Sequence, residues 1–118
     1  MFDAEERASN PMQQEYGDFA PALVGFTLDT LFGEVWPRPE LSQRDRSLIT
    51  VACLVSRGNM AQLPGHLTRA TDNGLTEAEL LEVITHLAFY AGWPQAMSAL
   101  AVAREFFRPS GQADGAGD

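Results

Sequence analysis

The sequence predicts an all-α fold, a compact multi-helix domain. Apolar residues recur at helical spacing in several segments, none shows the alternation of a β-strand, and capping signals precede two of them. A chain of 118 residues is about one domain. We expect the helical domain to span 11–108, between a flexible segment 1–10 and a disordered tail 109–118. Both ends offer few apolar groups to offset the entropy of ordering.

The first predicted helix lies before a proline-rich break. Its apolar positions recur every three or four residues and are Phe19, Ala22, Leu23, Phe26, Leu28, Leu31 and Phe32. The segment 36–39 contains two prolines, which lack the amide donor and push the preceding residue to extended geometry. We therefore expect the helix to stop at Gly33.

The second predicted helix begins with Ser42 as N-cap and Asp45 three residues later, and it ends at Gly58-Asn59. Its apolar row comprises Leu48, Ile49, Val51, Ala52 and Val55. Because its middle is nearly all apolar, we expect this helix at the centre of the fold. Cys53 should then be a small buried core residue rather than a nucleophile.

Two further helices follow the segment that carries His66. Thr76 and Glu79 form a capping box before a helix that runs to Gly92. Its apolar stripe is Leu80, Ile84, Leu87 and Ala91. Pro94 suits the first turn of a last helix. That helix carries Met97, Leu100, Ala101 and Phe107.

Charge and composition exclude several classes of partner. The net charge of -8 comes from sixteen acids against eight arginines, with no lysine, so nucleic acid is not expected as a partner. No apolar run approaches the ~20 residues that span a bilayer, and no membrane association is expected. The acidic N-terminus lacks the layout of a secretion signal. We expect a cytoplasmic protein.

Phe89 is placed where a monomer should expose a polar residue. At about 100° per residue it points nearly opposite the stripe that begins at Leu80. A subunit interface explains such a position, so we expect a homo-oligomer with Phe89 in the contact.

Each candidate catalytic or binding residue could also have a purely structural role. His66 could simply pack at a helix N-terminus, and His86 could be a core-edge histidine bonded to Glu82, one turn away. Glu34 could be a solvated acid at a helix end. Arg44 and Arg46 face different sides of their helix, so one of them is expected to form a surface ion pair.

Three spaced motifs favour catalytic roles over structural ones for these residues. The segments 36–52, 66–76 and 86–94 together resemble the carboxymuconolactone decarboxylase family, an AhpD-like helical fold that assembles as trimers or hexamers. The resemblance implies His66 as the first catalytic candidate, His86 as the second and Glu34 as the acidic position. Arg46, which leads into the buried run, is the better candidate for substrate binding. Trp36, Tyr90 and Trp93 complete the expected binding residues.

A related branch of that fold carries a Cys-x-x-Cys pair ahead of the histidine that corresponds to His66. The two positions here are Asn59 and Gln62, neither of which can form a thiolate. A thiol peroxidase or disulfide reductase is therefore disfavoured.

The resemblance implies loss of carbon dioxide from a carboxylated lactone, such as 4-carboxymuconolactone, in aromatic-compound catabolism. That reaction needs a hydrogen-bond donor at the lactone carbonyl and an acid that protonates carbon, and it needs no cofactor or metal. Arginine suits a carboxylated substrate. Two alternatives remain: another small-molecule reaction, such as isomerisation, on the same histidines, and a non-enzymatic helical oligomer that binds a ligand.

Overall fold

The structure is a computed structural model that describes residues 3–111. Every regular element in that range is helical, which confirms the predicted all-α class. The chain forms two compact units, one up to Gln43 and the other from Arg44. The elements are α1 (Ala4–Ser9), α2 (Pro11–Tyr16), α3 (Pro21–Gly25), a π-helical segment (Phe26–Val35), α4 (Gln43–Arg57), α5 (Leu63–Asp72), α6 (Glu77–Tyr90) and α7 (Trp93–Phe107). Among these described helices, none is long and apolar enough to cross a membrane.

The N-terminal segment holds a helix that the composition did not predict. Asp3 Oδ1 accepts a hydrogen bond from the Glu6 amide at 2.8 Å, and Glu6 Oε1 accepts one from the Asp3 amide at 3.0 Å. This capping box satisfies amides that the first turn of α1 otherwise leaves unpaired. The flexibility of 1–10 stays a prediction, and residues 112–118 of the expected tail lie outside the described residues.

The predicted end of the first helix at Gly33 is wrong. Helix α3 continues into the π-helical segment, which runs on to Val35. The Trp36 amide donates to the Leu31 carbonyl at 2.9 Å, five residues back, so the chain makes wide turns up to the proline-rich break. Gly33 keeps a negative φ and does not break the helix. The stop comes instead from Pro37, which has no amide to donate.

The core of the second unit forms where α7 packs against α5 and α6. Helix α7 contributes only alanines to the fully buried positions, so the helix axes can approach closely. The buried cluster consists of Val51, Val55, Leu63, Leu67, Ala70, Leu75, Leu80, Ile84, Ala96, Ala99 and Ala103.

Two predicted core assignments are wrong. Ser47, Val51 and Val55, spaced by four residues, form the buried face of α4. Cys53 and Ile49 lie two residues from Val51, hence about 200° around the helix, and both are exposed. An exposed Cys53 makes few packing contacts, so its replacement by alanine should change stability by less than about 0.5 kcal/mol.

Of the four apolar residues named for the last helix, three are exposed, and Phe107 is partly buried against the core. Met97 and Leu100 are 53% and 41% exposed, and Ala101 is exposed as well. The buried positions on this helix are Ala96, Ala99 and Ala103. Small side chains, rather than the large ones, therefore form the buried face of α7.

The predicted helix starts at Thr76 and Pro94 are confirmed. Thr76 Oγ1 accepts a hydrogen bond from the Glu79 amide at 3.1 Å, and Glu79 Oε1 accepts one from the Thr76 amide at 3.0 Å. Pro64 and Pro94 lie in the first turns of α5 and α7. Gly92 connects α6 to α7 at φ 119°, a conformation that strongly favours glycine.

We predict that Thr76→Ala lowers the free energy of unfolding by about 1 kcal/mol, because the change removes the N-cap acceptor of α6. Chemical denaturation measured by circular dichroism tests this. Thr85→Ala is the matched control: its hydroxyl only donates to the Leu81 carbonyl within α6, at 3.0 Å. The control should be neutral or slightly stabilising. Equal losses in the two variants would contradict the capping argument.

Candidate functional site

A groove between α4 and α6 carries one of the two histidines. Its volume is about 410 Å³, and we call it the His86 groove. The residues that line it are Leu48, Ala52, Glu79, Glu82, Val83, His86 and Leu87. They recur every three or four positions along each helix, so one face of α4 and one face of α6 form the two walls. Its walls are mostly apolar, with an imidazole and two carboxylates among them.

His86 is exposed and stacks on Tyr90 one turn later. The two ring centroids are 4.7 Å apart with the planes tilted by 23°. The expected hydrogen bond between His86 and Glu82 is absent from residues 3–111, although both side chains line the same groove. The imidazole is thus oriented by ring stacking, and its nitrogens are accessible for proton exchange with a ligand.

An ion pair lies at one edge of this groove. Arg44 Nη2 donates to Glu79 Oε2, which agrees with the expectation that one of the two arginines forms a surface ion pair. The Thr76 backbone amide and then the Arg44 guanidinium hold the pKa of Glu79 below its ordinary value. Arg46, the preferred substrate-binding candidate, is half-buried with its Nε enclosed and does not line this groove.

His66 lies in a different environment, in the first turns of α5. Burial, and then the charge of Arg69, lower the pKa of His66 from 6.5, which favours the neutral imidazole. Nδ1 of His66 is buried and has no hydrogen-bond partner among the described residues. His66 is not among the residues that line the His86 groove.

The remaining sequence candidates are distributed over other parts of the chain. Glu34 is exposed near the end of the π-helical segment, within the first unit. Trp36, also in that unit, is buried, its ring centroid is 5.8 Å from that of Phe32, and its carbonyl accepts a hydrogen bond from the Gln43 side chain. Trp93 lies in a second groove, between α6 and α7. Within the second unit, the structure brings His86 and Tyr90 together and places Trp93 elsewhere.

The groove includes residues that the sequence analysis did not single out as site residues. Leu48 and Ala52 follow Arg44 at intervals of four residues, and Glu79 precedes Val83 and Leu87 at the same interval. Those spacings are visible in the sequence, but apolar residues at helical spacing ordinarily indicate positions in the hydrophobic core. Only the packing of α4 and α6 shows that this face borders a groove.

No three His, Cys, Asp or Glu side chains within residues 3–111 form a group that could hold a metal ion. The expectation that the reaction needs no cofactor stays a prediction.

We predict that His66 titrates below pH 6.5, which NMR of the imidazole carbons can measure. Because its pKa in the folded chain is lowered, this histidine contributes stability that is present above pH 6.5 and is lost as the pH falls through the folded pKa. Arg69→Gln should raise the midpoint, since it removes a repelling cation. A midpoint at or above 6.5 in the unmodified chain would contradict this assignment.

The comparisons with known proteins agree with the helical architecture. The model of the carboxymuconolactone decarboxylase family matches residues 21–105. A 4-carboxymuconolactone decarboxylase of Acinetobacter baylyi is 37% identical over 106 residues, covering 90% of this chain and 79% of that protein. A nitrosuccinic acid decarboxylase of Metarhizium robertsii is 35% identical over 74 residues, covering 63% of this chain and 52% of that protein. The chain therefore belongs to the carboxymuconolactone decarboxylase family.

Proposed function

We propose that this protein is a cofactor-free decarboxylase that acts on a carboxylated unsaturated lactone, 4-carboxymuconolactone or a close analogue, in aromatic-compound catabolism. Family membership and two relatives named as decarboxylases support a carboxy-lyase. We further propose that it acts in the cytoplasm.

The reaction breaks the bond between the lactone ring and its carboxylate. Carbon dioxide leaves, and the bonding electron pair delocalises through the ring double bond onto the lactone carbonyl oxygen. A proton must then reach carbon so that the product is neutral at that position. Catalysis thus needs a donor at the developing oxyanion and an acid near the carbon.

The observation that carries this proposal is the buried Nδ1 of His66, together with the lowered pKa that favours its neutral imidazole. A neutral imidazole donates a hydrogen bond without first losing a proton, and its lowered pKa keeps it in that form at neutral pH. Its buried Nδ1, without a partner in residues 3–111, marks a polar atom that the fold leaves unsatisfied. Such atoms are uncommon in native proteins, and a catalytic role is one recognised reason for them.

His86 is the second candidate and fits the role of an acid or a binding residue. It borders apolar walls, which suit the ring of a lactone and disfavour the charged carboxylate relative to carbon dioxide. Glu34 as an acidic group and Arg46 as a carboxylate ligand complete the proposal. Trp36, Tyr90 and Trp93 are proposed as further substrate-binding residues.

We expect His66→Ala to lower turnover of 4-carboxymuconolactone by roughly 100-fold or more, the usual scale for the loss of one oxyanion donor. His86→Ala should have a smaller effect, because its exposed imidazole is oriented by Tyr90 alone. If neutral His66 is the active form, turnover should also fall as the pH drops through its pKa, below 6.5. A larger loss in His86→Ala would make His86 the donor.

We expect turnover to survive both a chelator and a thiol-blocking reagent. The electron pair is accepted by the substrate's own carbonyl, so the reaction requires no metal. Cys53 is exposed and should react fully with the reagent, which mass spectrometry can verify, without loss of activity. Inactivation by the chelator, reversed by an added metal, would refute the cofactor-free mechanism. Inactivation that follows the modification of Cys53 would show that this face of α4 contributes to the site.

A further inference from the structure

The ion pair of Arg44 and Glu79 forms one end of the His86 groove. Glu79 lines the groove, and Arg44 precedes two other lining residues, Leu48 and Ala52, at intervals of four along α4. Residues at this interval share one face of a helix, so the Arg44 side chain starts from the face that borders the groove. The Arg44 and Glu79 side chains are 41% and 43% exposed, and a ligand in the groove can therefore reach both.

The two oxygens of the Glu79 carboxylate have separate partners. Oε1 accepts a hydrogen bond from the Thr76 amide at 3.0 Å and belongs to the capping box of α6, whereas Oε2 accepts one from Arg44 Nη2. The contact with Arg44 can therefore be lost while the helix cap stays intact. Ion pairs between partly exposed side chains contribute little net stability, so a ligand that offers Arg44 another carboxylate meets only weak competition.

The groove needs a cation if it is to hold an anionic substrate. Its walls carry two carboxylates, Glu79 and Glu82, and the chain as a whole has a net charge of -8. Both features repel a carboxylated ligand. Arg46 lies about 200° around α4 from Arg44 and does not line the groove. Arg44 is therefore better placed than Arg46 to offset the repulsion inside the groove.

We propose that Arg44 binds the carboxylate that the substrate retains, and that it exchanges Glu79 for this carboxylate when the substrate enters the His86 groove. This assignment rests on the proposed function, because it takes 4-carboxymuconolactone or a close analogue as the substrate.

That substrate carries two carboxylates with different fates. Muconic acid has two carboxyl groups and closure of the lactone uses one, so muconolactone keeps one carboxylate. The 4-carboxy group is the second, and it leaves as carbon dioxide. An arginine at the departing carboxylate would stabilise the charge that the reaction removes and would raise the barrier. An arginine at the retained carboxylate has no such cost, and a bidentate guanidinium pair also fixes the orientation of the ligand.

The length of the groove fits this assignment. Glu79 and His86 both line it and are two turns apart on α6, which is about 10 Å along the helix axis. Val83 lies between them on the same wall, and Leu48 lines the groove from α4. With the retained carboxylate at Arg44, a five-membered lactone ring lies against these apolar side chains, and the rest of the molecule extends towards His86.

Steady-state kinetics with 4-carboxymuconolactone test the contact. Arg44→Gln should raise KM about 10-fold, the scale for loss of a charge-assisted hydrogen bond, and should change kcat by less than about twofold. Arg108→Gln is the matched control, because Arg108 forms an ion pair with Glu77 in the first turn of α6 and does not line the groove. The control should keep the KM of the unmodified chain, and circular dichroism should show both variants folded. An unchanged KM in Arg44→Gln would overturn the assignment.

Glu79→Gln tests the exchange. Glutamine keeps an oxygen that can accept the Thr76 amide but lacks the charge that holds Arg44. KM should therefore fall roughly threefold, the scale of an exposed ion pair. In the double variant Arg44→Gln/Glu79→Gln, KM should equal that of Arg44→Gln alone, because the change at Glu79 acts through Arg44. If Glu79→Gln fails to lower KM, or lowers it equally without Arg44, the exchange is refuted.

Binding of muconolactone separates this assignment from the proposed function. Muconolactone has the retained carboxylate and lacks the one that leaves, so it binds without reacting. Calorimetry should show weaker binding to Arg44→Gln and tighter binding to Glu79→Gln, whereas the methyl ester of muconolactone should bind all three chains alike. This pattern in a chain that does not turn over 4-carboxymuconolactone would refute the decarboxylase and support the Arg44 site. Muconolactone binding that is absent or independent of Arg44 would refute the Arg44 site, whatever the turnover.

Discussion

The close approach of α7 to α5 and α6 is the constraint on which the second unit depends. Helix α7 can lie this close only because Ala96, Ala99 and Ala103, spaced along one face, bring no side-chain bulk to the contact. A larger residue at any of these fully buried positions would force the helices apart, since protein interiors are packed too densely to absorb extra methylene groups. The alanine face therefore fixes where α6 lies.

Once α6 is fixed, its other two sides are available for different tasks. Leu80 and Ile84 face the core, while His86 and Glu82 border the groove with α4. Phe89 borders the other groove, which α6 forms with α7. One helix thus separates two grooves whose walls are mostly apolar, and the groove with α4 also carries an imidazole and two carboxylates. The two are linked through a shared rigid element, so a change that shifts α6 would alter both.

Charge is distributed locally in a chain that is acidic as a whole. The absence of lysine leaves arginine as the source of every fixed cation, and several arginines are committed to ion pairs, including Arg44 with Glu79 and Arg108 with Glu77. Arg69 acts differently: its charge disfavours the imidazolium form of His66. Burial adds to the same effect. The net charge of the whole chain therefore says little about the protonation state of this histidine, which depends on its burial and on Arg69.

The sequence by itself determined the all-α class, the capping box at Thr76, the helix start at Pro94 and the membership of the family. These features depend on local hydrogen bonds, on backbone restrictions or on motifs, all of which can be read within a few residues. It misplaced Cys53 and Ile49, because the choice between faces of an apolar helix depends on what packs against it, and it ended the first helix at Gly33, although the π-helical segment runs on to Val35. Only the tertiary structure showed that His86 borders a groove with α4 and that burial is the main reason for the lowered pKa of His66. Those properties arise from contacts between residues distant in the chain, which no local pattern encodes.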